Sequence, residues 1–274
     1  MNEVKTSNKF VTCTVEGLSY IATSADNVII NNMYVSHINY SSDNIRVFQM
    51  LAKKYYNVDD SAGYFLDLGA NIGTTGIYFT KKLAPNLKLL AFEPDPENFK
   101  MHRVNLILND MENKATLINC GLGDKVDEMT MYRDLRNPGH NNLTEPKENV
   151  STERVKIIPL DSYLAENKIA AQDVKYIWID TEGFEAQVLF GAKNLLRENP
   201  APIFMECNIK VWKESGRSEE FLALLSEYYS HLIHVAGNSK ALYPIEALMN
   251  VGNPESGIGG NGDVFFIRRG ALIA

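Results

Sequence analysis

The sequence predicts an α/β fold in which a mostly parallel, seven-stranded sheet carries helices on both faces and follows a small N-terminal β appendage. From Gly63 onward, short apolar runs alternate with helical patterns, which is typical of a parallel sheet. The run 174–180 is almost entirely apolar, as expected for a strand that is buried on both faces. Residues 10–35 alternate instead and are rich in Val, Ile, Thr and Tyr, which indicates the separate appendage.

Length and composition exclude several classes of protein. The 274 residues suit one domain with a small addition, and we place the appendage at 1–40 and the main domain at 41–274. A net charge of −7 without a Lys/Arg cluster argues against a nucleic-acid-binding protein. The three cysteines show no metal or disulfide spacing, which favours a reducing compartment. The start of the chain lacks a signal core, and no run reaches the ~20 apolar residues of a membrane helix. We expect a cytoplasmic protein without membrane insertion, and oligomerisation stays open.

The appendage is predicted as a hairpin, with strands over 10–15 and 19–23 around Glu16 and Gly17. A third strand over 27–30 is a further prediction. Polar residues at 41–44 then supply helix-cap chemistry. The apolar residues that follow have helical spacing, so a helix is predicted there.

The elements of the main domain are predicted from periodicity and from their turn residues. The sheet strands are predicted at 64–68, 87–93, 115–120, 174–180, 203–207, 232–236 and 263–268. Helices are predicted at 96–108, 184–196 and 218–229, and two more strands at 128–132 and 154–158 flank a polar insert. No helical pattern separates the last two strands of the sheet, so the seventh is predicted to run antiparallel beside the sixth.

The loop after the first sheet strand has the composition of a cofactor-binding turn. Glycines let the backbone approach a ligand, and a helix start offers free amide groups. The loop reads Asp67-Leu-Gly69-Ala70-Asn71-Ile-Gly73. A dinucleotide fingerprint would need glycine at Asn71, and the anion at Asp67 suits a cationic ligand better than a pyrophosphate. S-adenosyl-L-methionine, with its sulfonium and ammonium groups, fits this loop.

Acidic residues follow two other strands of the predicted sheet. Glu93 ends the second strand, where a carboxylate can bind the hydroxyls of a ribose, and Asp95 is its rival. Asp180, Glu182 and Glu185 follow the fourth strand, at the edge where open parallel sheets bind ligands. Asp180 is predicted near the methionine amino group or the methyl-transfer site, and Glu182 near an acceptor hydroxyl. Glu185 is interpreted as a charge on the helix dipole.

These three motifs together resemble the FkbM-type methyltransferase family. The resemblance covers 63–208, about half of the chain, and rests on the order and spacing of the segments Asp67–Gly73, Phe92-Glu93-Pro94 and Ile179–Glu185. It implies a class I methyltransferase (Rossmann-like) fold, S-adenosyl-L-methionine as cofactor, and methyl transfer to a hydroxyl oxygen. The acceptor would be a sugar, a glycan or a secondary metabolite.

The resemblance also bears on residues outside these motifs. In the implied fold, the loop after the third strand faces the adenine, so Gly121, Leu122 and Asp124 are predicted to contact the base; the alternative is a plain glycine turn. His140, in the polar insert, is the best placed histidine for a general base, although it also suits a solvated loop. Two other functions stay open: an NAD-dependent oxidoreductase and a catalytically silent cofactor-binding module.

A metal is the remaining alternative in the sequence. Asp180 with Glu206 or Asn208 would offer hard oxygen ligands on neighbouring strands, which suit magnesium or calcium. The resemblance does not require a metal, and we predict a site without one.

Overall fold

The computed structural model describes residues 9–24, 28–134, 141–143, 150–236, 239–253, 258 and 262–271. Strands β1 (Phe10–Val15) and β2 (Leu18–Thr23) form the predicted antiparallel hairpin. Helix α1 (Ile29–Ser36) follows, so the third strand predicted over 27–30 is wrong. The apolar residues Ile29, Ile30 and Met33 are buried, and their spacing is that of one helix face.

The hairpin is fastened to the main domain by two asparagines on helix α4 (Pro96–Leu108) and at its C-cap. Asn105 accepts from Ile21 N at 2.7 Å and donates to Ile21 O at 3.1 Å. Asn109 makes the equivalent pair with Ser19, at 3.0 and 2.8 Å. Residues four apart on a helix face the same side, so the two side-chain amides form hydrogen bonds with the backbone of β2 as a neighbouring strand would.

The main sheet has eight strands in the order β12-β11-β13-β10-β9-β3-β4-β5. Their bounds are β3 Tyr64–Leu68, β4 Lys88–Phe92, β5 Ala115–Ile118, β9 Val174–Ile179, β10 Ile203–Glu206, β11 Tyr229–Ala236, β12 Ser239–Pro244 and β13 Asp263–Arg268. Strands β3, β4, β5, β9 and β10 are parallel, and β13 runs antiparallel between β10 and β11. The predicted α/β fold and the antiparallel seventh strand are confirmed; β12 is an eighth strand that the sequence did not predict.

Eight α-helices other than α4 are described. Their bounds are α1 Ile29–Ser36, α2 Ser42–Tyr56, α3 Thr74–Tyr78, α5 Leu160–Glu166, α6 Glu185–Phe190, α7 Lys193–Glu198, α8 Ile209–Glu214 and α9 Ser218–Tyr228. The single helix predicted over 184–196 is divided near Gly191, where a Cβ atom would lie 2.0 Å from Gly123 O. A second sheet, of β6 (Gly121–Leu122), β8 (Val150–Ile158) and β7 (Asp127–Asp134), contains the two strands predicted beside the insert.

The core is centred on aromatic side chains between α2 and the sheet. Phe48 is fully buried, and its ring lies 5.4 Å from that of Tyr176 and 5.5 Å from that of Phe204. Such ring pairs add to the free energy of burial, so α2 is part of the main domain's core. Within the described segments, none of the helices has the length and apolarity needed to cross a bilayer.

Candidate functional site

A cavity lies at the carboxyl ends of β3, β4, β9 and β10, the edge at which open parallel sheets bind ligands. It gathers eight of the residues that the sequence predicted for the site: Gly69, Ala70, Asn71, Glu93, Gly121, Leu122, Asp180 and Glu182. Segments from four parts of the chain therefore meet around one space.

The glycine loop is held against β4 by its own backbone. Gly69 N and Ala70 N both donate to Phe92 O, at 3.1 and 2.9 Å. Gly69 has φ +88°, and a Cβ atom there would lie 1.8 Å from Asp180 O. Only glycine fits such a close approach in the left-handed region, so this position joins the loop to the end of β9.

Glu93 lines the cavity with both carboxylate oxygens already anchored. Oε2 accepts from Asn71 N at 2.7 Å and Oε1 accepts from Asp95 N at 2.8 Å. Burial and the nearby Asp95 raise the pKa of Glu93 to about 8. Each oxygen can accept a second hydrogen bond, as binding a pair of hydroxyls would require. The rival, Asp95, caps α4 instead, because its Oδ1 accepts from Glu97 N and Asn98 N.

Three predicted site residues do not line the cavity. Asp67 is 1% exposed, and its Oδ2 accepts from Gly76 N at 2.9 Å in the first turn of α3. Gly73 is the N-cap of that helix. Asp124, predicted to bind adenine, instead forms an ion pair with Arg217 at 2.7 Å. Asp67 and Gly73 thus shape the loop from behind, and His140 lies outside the described residues.

Three carboxylates converge on one side of the cavity. The groups of Asp180, Glu182 and Glu206 each offer an oxygen within 4.8 Å of the others. Asp180 is exposed where it lines the cavity. The protein around its carboxyl group nevertheless displaces solvent, and this desolvation raises its pKa. The charge of Asp180 raises the pKa of Glu206. Such a cluster can hold a cationic group, and its oxygens are also of the type that magnesium prefers.

Sequence reasoning missed one wall of the cavity. Val28, Ile29, Tyr40 and Ser41 line it from α1 and the connection to α2. The first three belong to the region predicted as the appendage, and Ser41 is the first residue of the predicted main domain. Trp212, on the nearby helix α8, does not line the cavity: it is 1% exposed and packs edge-on against Phe221 in the core. No local sequence signal marks the four wall residues, because their position depends on how the hairpin docks.

The buried acids predict how stability depends on pH. Burial raises the pKa of Asp67 to about 7, and that of Glu93 to about 8, against about 4 when unfolded. Between these unfolded and folded values the folded state holds extra protons. Its stability therefore falls as pH rises, by about 1.4 kcal/mol for each pH unit and each acid, until the pH passes the folded-state pKa of that acid. We expect the ligand-free protein to melt several degrees lower at pH 8.5 than at pH 6.5 (roughly 2–4 °C per kcal/mol).

Thermal unfolding at constant ionic strength measures this effect, and Asp67→Asn should reduce the difference between the two pH values. The chosen window avoids His102, whose burial lowers its pKa to about 3. His102 acts in the opposite sense, since its stabilisation is present above about pH 6.5 and is lost below. Equal melting temperatures at both pH values would contradict the prediction.

Comparison with known proteins shows the family to which this chain belongs. The family model described as the Methyltransferase FkbM domain matches residues 67–250. The chain is 24% identical over 192 residues to Methyltransferase sdnD of Sordaria araneosa, covering 60% of this chain and 72% of that protein. It is 29% identical over 166 residues to Methyltransferase 1 of Beauveria bassiana (strain ARSEF 2860), covering 52% and 64%. The chain thus spans less than two thirds of the second relative.

Solved structures with a similar fold include methyltransferase FkbM from Methylobacillus flagellatus KT, at 16% identity and a TM-score of 0.46, covering 84% of this chain and 61% of that one. An O-methyltransferase from Bacillus cereus in complex with SAH has 10% identity and a TM-score of 0.48, with coverage of 90% and 92%. The family model spans more than half of the chain and includes the glycine loop, Glu93 and the carboxylates after β9. This chain belongs to the FkbM methyltransferase family.

Proposed function

We propose that this protein is a methyltransferase that uses S-adenosyl-L-methionine to methylate a hydroxyl group of a small molecule, such as a sugar, a glycan or a secondary metabolite. The observation that carries the proposal is the acidic composition of the cavity lining. Its lining contains four carboxylates and, among the described residues, no Lys, Arg or His; the four are Glu93, Asp180, Glu182 and Glu206. A cationic ligand is attracted to such a cavity, whereas the pyrophosphate of a dinucleotide is repelled.

The anchored residues suggest which part of the cofactor each would hold. Glu93 would bind the ribose hydroxyls, and the backbone at Gly121 and Leu122 would face the adenine. The loop from Gly69 to Gly73 would hold the methionine end, with its shape maintained by Asp67 from behind. Asp180 would lie near the amino group and the positive sulfur.

The chemistry asked of the protein is modest. When bound, S-adenosyl-L-methionine supplies a methyl group that its positive sulfur has already activated. Asp180 and Glu182 would orient the acceptor and stabilise positive charge beside it. A carboxylate of this cluster can take the hydroxyl proton. His140 is the other candidate base, since Asn141 and Asn142, which follow it, line the cavity.

Calorimetric titration with S-adenosyl-L-methionine, S-adenosylhomocysteine and NAD tests the proposal. We expect the first two to bind and NAD not to bind. Binding of NAD alone would replace the proposal by the oxidoreductase. Transfer of a tritiated methyl group to fractions of a cell extract then separates an enzyme from a silent binding module, for which every fraction would stay unlabelled.

Glu93→Ala is expected to weaken the binding of S-adenosyl-L-methionine by about 1–3 kcal/mol, the usual cost of leaving a buried hydrogen-bonding group without its partner. The ribose is common to both ligands, so S-adenosylhomocysteine should lose the same amount. Calorimetry measures both affinities. Glu97→Ala serves as the control, because this neighbouring carboxylate is exposed and pairs with Lys100. Unchanged affinities in Glu93→Ala would exclude Glu93 as the ribose ligand.

A further inference from the structure

Glu185 is a buried carboxylate that holds the turn between β9 and α6. Its side chain is 0% exposed. Oε1 accepts three hydrogen bonds, from Thr181 N at 3.0 Å, Thr181 Oγ1 at 3.0 Å and Gly183 N at 2.9 Å. These donors flank Glu182, so one oxygen atom fixes the backbone on both sides of a cavity residue.

The other oxygen connects this turn to the next strand. Oε2 accepts from Trp212 Nε1 at 2.8 Å, and Trp212 lies on α8, directly after β10. Strand β10 ends at Glu206. Glu185 therefore links the two segments that bring Asp180 and Glu206 to the cavity, and no salt bridge to it occurs in the described part of the chain.

The turn that Glu185 holds has an unfavourable backbone. Glu182 has φ +52° and Gly183 has φ +101°, and the left-handed region is costly for a residue with a Cβ atom. Hydrogen bonds to a charged acceptor are about twice as strong as neutral ones. The three bonds to Oε1 offset the cost of this backbone, which keeps Thr181 and Glu182 on the cavity lining.

We infer that Glu185 is a positioning residue for the methyl-transfer site: its carboxylate fixes the turn that sets Asp180 and Glu182 against the positively charged centre of the methyl donor. The inference rests on the proposed function. Glu185 itself does not line the cavity, so it acts through the turn and not by contact with a ligand. From the sequence alone, Glu185 is interpreted only as a charge that interacts with the helix dipole.

A carboxylate suits this position because it accepts at both ends. In Glu185→Gln the amide oxygen can still face the turn, as a weaker, neutral acceptor. The amide nitrogen then faces Trp212 Nε1–H, and two donors oppose each other. The variant keeps the size of the side chain while loosening both connections.

Binding of two ligands that differ in charge tests the inference without a known acceptor. S-adenosyl-L-methionine carries the sulfonium charge and S-adenosylhomocysteine does not, so their affinity ratio reports how well the carboxylates are placed. We expect Glu185→Gln to weaken binding of the charged ligand about tenfold, the effect of losing roughly one charge-assisted contact. Binding of the neutral ligand should change less than about threefold. Glu220→Gln, at an exposed carboxylate paired with Arg217, should leave both affinities unchanged.

Gly183→Ala disturbs the same turn by changing its backbone, since a Cβ atom there would lie 2.9 Å from Val211 Cγ1. Like Glu185→Gln, it should weaken the binding of S-adenosyl-L-methionine more than that of S-adenosylhomocysteine. If Glu185→Gln does not fold, Gly183→Ala provides the test of the inference. A wild-type ratio in the folded variant, or an equal loss for both ligands, overturns the inference and marks Glu185 as merely structural. Failure of the wild-type protein to bind either ligand would instead reject the proposed function.

Discussion

Gly69→Ala is expected to abolish binding of S-adenosyl-L-methionine and to destabilise the fold. The new Cβ atom would lie 1.8 Å from Asp180 O and 2.8 Å from Asp180 C. Neither segment can retreat easily, because Gly69 N bonds Phe92 O and Asp180 N bonds Leu68 O. We expect a loss of at least about 2–3 kcal/mol in the free energy of unfolding, as for other severe overpacking.

Gly216→Ala is the matched control for this change. Gly216 also has a positive φ, +71°, but nothing lies within 4 Å of an added Cβ atom. It should therefore show the backbone strain alone, about 1 kcal/mol, with ligand binding intact. Denaturant unfolding and calorimetry measure both variants. Matching stabilities, with ligand still bound by Gly69→Ala, would disprove the close-approach argument.

Asp180→Asn is expected to lower the rate of methyl transfer by about 100-fold or more, the range found when a group that stabilises charge in an active site is removed. Stability should stay the same or rise, because the substitution removes one ionisable carboxyl group from a crowded cluster of three. The rate is measured as tritium transferred to the extract fraction that supports wild-type activity. Chemical denaturation of the ligand-free protein gives the stability.

Asp173→Asn is the control for Asp180→Asn. Asp173 is exposed and precedes the same strand at its opposite end. It should retain the wild-type rate. A proportionate loss of rate and stability in Asp180→Asn would assign Asp180 a structural role in place of a catalytic one.

Most of the fold could be predicted because its signals are local. Strands β3 and β13 and helix α4 begin and end at the predicted residues, since apolar runs, Pro96 and turn residues mark them. The residues 28–30 were misjudged because a short apolar run fits a strand or a helix equally well. Among the described strands, β12 pairs with β11 alone, at the sheet edge, and its mixed composition carries little periodic signal.

The site was predictable where topology alone brings residues together. Glu93 and Asp180 follow parallel strands, so both had to reach the same edge of the sheet. Asp67 directly precedes the loop in sequence, but its carboxylate accepts from Gly76 N in α3 and does not line the cavity. The function of Glu185 depends on Trp212, 27 positions later, and no spacing rule connects the two.

The amide of Asn105 has a second partner besides the hairpin. Its Nδ2 donates at 3.1 Å to Ile21 O in β2 and at 2.8 Å to Ile72 O in the glycine loop. One side chain thus ties the first strands of the chain to the loop that would receive the methyl donor. Docking of the hairpin and ligand affinity are consequently linked free energies: removing residues 9–24 would leave the loop less ordered, and a bound ligand would protect the amide protons of β2 from exchange with solvent.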